Sequence, residues 1–284
     1  MGRPRHAWGT VRRIDNEPVI DFFDFLAFRG TDLALGLRET VKAHAWYGKS
    51  GDRFGFLMEG VLLSSDGFKE LDGGGETGFN RSELMAKGSF RPSDSQELQL
   101  KLGYAHEVSN ETYMGLTLAD QEAQPYRRYA ASALGLMDWD RTQAELSWTH
   151  QISDAVEFRS VMYHHYLDRS WTKFNGFSSG VDPHNLLQLA PTTGVGAVYL
   201  AILRGDEDTT TDDQRLRIGT NARQFHSYGF QNSARWEAQW GEISSRMDLG
   251  LRLHRDDVTR LHTEYLYDMV GGELVRTEDD LITT

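Results

Sequence analysis

Recurrent alternation of apolar and polar residues is the feature that most narrows what this chain can become. In residues 97–104, Leu98, Leu100, Leu102 and Tyr104 fall on one phase and Glu97, Gln99, Lys101 and Gly103 on the other. The pattern recurs in 230–240, where Phe230, Ala234, Trp236, Ala238 and Trp240 oppose Gln231, Ser233, Arg235, Glu237 and Gln239, and again in 143–148 and 247–254. A period of two belongs to strands, whose successive side chains leave opposite faces. On a helix of 3.6 residues per turn Leu98, Leu100 and Leu102 would scatter around the axis. The alternation predicts strands near 31–37, 41–48, 53–63, 83–91, 96–106, 138–150, 155–167, 223–240 and 246–258, with a tenth near 261–278. The fold class is therefore all-β, an antiparallel meander of about nine or ten strands.

The connections sort into two kinds. Those at 49–52, 92–95, 152–155 and 241–245 are short and carry Gly, Pro, Ser or Asp suited to tight turns, whereas 64–82, 107–137 and 168–222 are long and polar. Short and long are expected to alternate strictly after the first hairpin. A soluble sandwich has no reason to put every long loop at one end of its strands, but a transmembrane β-barrel has short turns on one side and long loops on the other. Aromatic residues near the expected strand ends, Phe54, Phe56, Tyr104, Trp139, Trp148, Trp236 and Trp240, suit interfacial girdles.

Composition is compatible with that reading and removes others. A formal net charge of −12 with no basic stripe argues against a nucleic-acid partner. The absence of cysteine removes any disulfide framework or thiolate metal site. No apolar run reaches the roughly 18 residues of a transmembrane helix, and a barrel needs none, since only every second residue meets lipid. The basic N-terminus, MGRPRHAWGTVRRIDNEP, leads into no proper apolar core of a signal peptide, so an export signal is expected upstream.

Two segments carry a more specific likeness: SDGFKELDGGGETGFNRSELMAKGSF after the third strand, and LKLGYAHEVSNETYMGLTLADQEAQPYRRYAASALGLMDWDRTQAELSWTH across the fifth and sixth. They resemble TonB-dependent outer-membrane receptors of the iron(III)-dicitrate and siderophore type, and the resemblance extends over most of residues 31–280. It implies a 22-stranded barrel around a plug domain, a ferric chelate as ligand, outer-membrane lipid as surroundings, Gram-negative outer-membrane location, no enzymatic activity and no cofactor. Against that pattern, residues 1–30 are expected to be a non-family or disrupted segment and residues 31–284 a partial receptor barrel. The plug, its contact with the TonB complex and the remaining strands are expected to be missing, so that this chain alone would not transport. A small outer-membrane barrel, porin or hydrolase, and a soluble β-sandwich binding module remain as alternatives.

Within this reading Tyr126, Arg127 and Arg128 are the candidate ligand-binding residues, because guanidinium groups make bidentate, charge-assisted bonds to a carboxylate-rich chelate. The bland alternative is that the arginines pair with Glu107, Glu111 or Asp120 to hold the loop's shape. Asp206, Glu207, Asp208, Asp212 and Asp213 suit either a hard cation or a solvated loop. Adjacent His164 and His165 should point to opposite faces of a strand and so cannot easily share a metal. No G-x-S-x-G, H-E-x-x-H or phosphate-cradling motif is present.

Overall fold

The structure, a computed structural model, describes residues 27–283; most of the N-terminal segment 1–30 lies outside them. Ten strands form one antiparallel sheet: β1 (Ala27–Leu35), β2 (Val41–Ser50), β3 (Phe54–Ser65), β5 (Phe79–Ser93), β6 (Gln96–Asn110), β8 (Leu136–Ser153), β9 (Val156–Phe177), β10 (Leu216–Trp240), β11 (Ile243–Val270) and β12 (Glu273–Thr283). Each pairs with its neighbours in chain order, so the sheet is a pure meander. Among the described residues β1 and β12 stand at opposite ends of the strand order and are not paired, so the sheet is open, neither a closed ten-stranded barrel nor a pair of packed sheets. The short strands β4 (Glu70–Leu71) and β7 (Arg127–Arg128) pair with each other in parallel, tying two loops together.

One face of this sheet is an exposed apolar surface. Leu100, Leu146, Met162, Phe230 and Leu253 stand directly beside one another across five strands, and all five are exposed. The next row, Lys101, Glu145, Tyr163, Gly229 and His254, faces the other way and is mostly polar. An apolar sheet face without a covering layer marks contact with lipid or with another protein, and its strict alternation with a polar face is the pattern of a membrane barrel. The polar side chains inside the belt satisfy each other: Ser160 Oγ donates to Asn232 Oδ1 at 2.6 Å.

The belt runs obliquely across the hydrogen-bond ladder. Leu62 on β3 is in register with Ser82, His106 and Asp140, and Leu84 on β5 with Tyr104, Thr142 and Tyr166. The upper apolar boundary thus moves to a lower row as the sheet is crossed from β3 to β9. Strands tilted against a bilayer need this drift, because a slab of constant height cuts each successive strand at a shifted register. Aromatics mark the belt's edges: Phe54 stacks on Phe90 with centroids 4.7 Å apart and Trp236 meets Trp240 at 6.0 Å near the short turns, while Tyr104 lies at the loop end. Trp139 departs from the girdle expectation, for its phase is that of the polar face and Arg81 lies over its ring.

Connections 36–40, 66–78, 111–135, 178–215 and 271–272 share one end, and 51–53, 94–95, 154–155 and 241–242 the other. Strict alternation of short and long fails at the last connection. The sequence pattern divides the chain near 258–261, whereas β11 runs unbroken to Val270 and then turns at Gly271 and Gly272, whose φ of 59° and 84° match a tight hairpin turn. The long loops hold the buried apolar cluster. Helices α1 (Leu118–Ala123), α2 (Pro183–Leu189) and α3 (Gly194–Arg204) lie in them, and Tyr129, Ala131, Ile202 and Leu203 of the loops are almost fully buried against Leu216 and Met269 at the ends of β10 and β11. No single helix among the described residues is long and apolar enough to cross a membrane.

Candidate ligand-binding face

Two features meet at the loop end of the polar face: a cap built from the loops, and a basic row on the strands below it. In the cap, pairing of Glu70 with Arg127 brings Asp72 against the Arg127 guanidinium. Nε lies 2.9 and 3.0 Å from the two Asp72 oxygens, and Nη1 lies 3.1 Å from Asp120 Oδ1. Asp120 also accepts from Arg204 Nε and Nη2 at 2.9 and 2.6 Å, from Thr117 Oγ1 at 3.0 Å and from the Tyr129 hydroxyl. Burial works to raise the Asp120 carboxyl, but the bonds from Tyr129, Arg204 and Thr117 outweigh it and hold the group below the usual carboxylate range.

The three residues singled out in this loop have different surroundings. Arg127 is committed to Asp72 and Asp120. Arg128, 1% exposed, donates from Nε to Ser132 Oγ at 3.0 Å and from Nη2 to the carbonyls of Ser132 and Gly135. Burial lowers its proton affinity against the opposing pull of Glu111. Tyr126 is exposed and lies under the Arg38 guanidinium, 4.9 Å from its ring centroid. The acidic segment 206–213 is likewise partly structural: Asp208 accepts from the Gly271 amide at 2.6 Å and Asp212 pairs with Arg215.

On the strands, the register aligns four residues that the sequence keeps far apart: Trp139, Arg169, Arg223 and Arg260 are consecutive cross-strand neighbours. Among the described residues none of the three arginines has a carboxylate within ion-pair distance. Arg223 Nε donates to Asn221 Oδ1 at 3.1 Å, Arg260 Nη2 lies 3.4 Å from His262 Nδ1, and Arg169 Nε is buried without an acceptor. Directly above, Trp171 Nε1 is also buried without an acceptor, and Lys173 Nζ lies 3.6 Å from the Tyr113 ring centroid and 4.7 Å from that of Trp171. Like charges directly opposite on neighbouring strands are unfavourable. The row therefore presents cationic, donor-rich chemistry suited to an anion. Single-strand patterns could not reveal it, since only the register brings the arginines together; their common phase on the polar face was the available signal.

No family model matches the chain, and no curated protein does. Solved structures do match in fold. The ferric citrate transporter FecA, in its unliganded form, superposes with a TM-score of 0.58 at 14% identity over 90% of this chain and 32% of that one. The chain shares the fold of an import-receptor barrel wall. The ferric-catecholate import receptor Fiu from E. coli K12, in its open form, gives 0.59 at 10% identity over 90% of this chain and 39% of that chain. The siderophore receptor PiuA from Acinetobacter baumannii gives 0.59 at 9% identity, with coverage of 85% and 31%. The chain thus spans about a third of the length of these receptors, and the barrel-wall likeness agrees with the tilted belt and one-sided loops.

Proposed function

We propose that this chain forms part of the wall and outer loops of a TonB-dependent receptor that imports an anionic ferric chelate, a siderophore or ferric citrate, across the outer membrane of a Gram-negative cell. The apolar belt meets lipid and the polar face lines the lumen. The reading rests chiefly on the Arg169, Arg223 and Arg260 row, three guanidinium groups without carboxylate partners on the lumen-side face near the loop cap. An oxyanion there would satisfy donors that the protein leaves open. Tyr126 contacts the ligand from the cap, and Arg127 and Arg128 hold the loop that presents it. The role is capture and passage rather than catalysis. In the family resembled, coupling to the TonB complex runs through the plug, so this wall supplies ligand and lipid contacts.

Ferric citrate titrated into the full chain in detergent micelles, followed by quenching of tryptophan emission, tests the reading. Trp139 and Trp171 stand beside the row and report its occupancy. The double variant Arg169→Gln and Arg223→Gln should bind at least about tenfold more weakly, as loss of charge-assisted bonds implies. Equal affinity of the variant, or no saturable quenching of the parent chain by ferric citrate or a ferric catecholate, overturns the proposal.

A further inference from the structure

The outward face carries a second chemistry immediately above the lipid belt. Tyr104 closes the belt on β6, and the next outward residue is His106, which is in register with Asp140 on β8; Asp138 is the next outward residue of β8. Ligand atoms of His106, Asp138 and Asp140 all lie within 4.8 Å of one another. His106 Nδ1 is 3.2 Å from Asp140 Oδ1 and 4.0 Å from Asp138 Oδ1. That nitrogen has essentially no solvent contact and no hydrogen-bond partner, although the rest of the ring is accessible. A water-shielded nitrogen that faces two carboxylates at these distances without a well-directed hydrogen bond to either is a set of electron-pair donors suited to a shared cation.

We infer that His106, Asp138 and Asp140 form a divalent-cation site on the outward face of the sheet, independent of the ligand path on the opposite face. One imidazole with two carboxylates suits a first-row dication such as Mn²⁺ or Zn²⁺ better than Ca²⁺, which prefers oxygen alone. Metal–ligand bonds of roughly 2.0–2.2 Å need ligand atoms spaced as these are, after small side-chain adjustments. The Tyr104 hydroxyl donates to Asp140 Oδ1 at 2.5 Å and so holds that carboxylate in place beside His106, leaving its other oxygen available to a cation. Three protein ligands leave coordination positions open toward the outside, to be filled by oxygen from beyond the protein.

The test uses the full chain in detergent micelles, stripped with chelator and titrated with Mn²⁺ under electron paramagnetic resonance. One ion per chain is expected, with nitrogen hyperfine coupling from the imidazole. His106→Ala and Asp140→Asn should each weaken binding at least about tenfold, while His150→Ala, on the same face at the opposite end of the belt, leaves it unchanged. Strand circular dichroism establishes that the variants remain folded. Absence of stoichiometric binding, absence of nitrogen coupling in the parent chain, or undiminished binding by folded His106→Ala overturns the inference.

Discussion

At the scale of single residues, the cap depends on Asp120 more than on any other side chain. Its two oxygens serve Arg127, Arg204, Tyr129 and Thr117, and together they join α1, β7 and α3. Asp120→Asn keeps the size but withdraws the negative charge from two guanidinium groups that are mostly shielded from water. Discounting for their partial exposure, the loss should be about 1–3 kcal/mol of cap stability. Hydrogen exchange of amides in 117–132, compared with amides of β8, measures it. The same contact gives a pH dependence of known sign. A carboxyl held below its unfolded value of about 3.9 contributes stability that is fully present above that value and is lost as pH falls through the folded one. Exchange in 117–132, corrected for the intrinsic pH effect, should therefore accelerate only below about pH 4, and Asp120→Asn should flatten that rise. Asp120 was legible in the sequence as a possible partner of the loop arginines. Asp72 was not, because its approach to Arg127 depends on the parallel pairing of β4 with β7.

At the scale of strands, the sequence reveals each element only where its two faces meet different solvents. The expected 96–106 and 155–167 correspond to β6 and β9, yet β9 continues to Phe177 and β8 begins at Leu136. Above the belt both faces meet water or the cap, so alternation fades although the ladder of backbone bonds continues. Arg255, Asp257 and Thr259 show the effect on β11: they occupy the outward phase that Leu249, Leu251 and Leu253 occupy below them. That loss of contrast is why the sequence suggested a break near 258–261. Phase and height also set the cost of substitution. Leu100→Arg, in the middle of the belt, should destabilise the membrane-inserted protein by about 2–4 kcal/mol, whereas the neighbouring Lys101→Arg on the polar face should be close to neutral. Urea unfolding in lipid vesicles reads the difference. Equal effects at the two positions would mean that the exposed apolar face does not meet lipid.

At the scale of the whole molecule, the number of strands and their order set where the sheet is strong. Every backbone group of the inner strands can be paired on both sides, whereas β1 and β12 each have one neighbour among the described residues. In hydrocarbon an unpaired N–H or C=O costs several kcal/mol, so an open sheet of this kind is stable in a membrane only when further strands or another chain cover its edges. The meander and its one-sided loops could be read from alternation; the openness of the sheet came only from the resemblance to a 22-stranded family, because alternation counts strands without showing whether the first and last pair. The full chain in micelles should accordingly show a gradient of backbone hydrogen exchange that follows strand order. Protection should be greatest at β8, β9 and β10, whose long registers lie in the middle of the sheet, and should fall toward β1 and β12. Mass spectrometry of peptides from each strand measures this directly. Uniform protection that includes β1 and β12 would show that the edges have found partners, either each other or a second copy; a cross-link between cysteines introduced into β1 and β12 of one chain would identify the first case. An edge-to-centre gradient would instead locate the weakness at the two edges and assign the stability of the completed wall to whatever strands pair there.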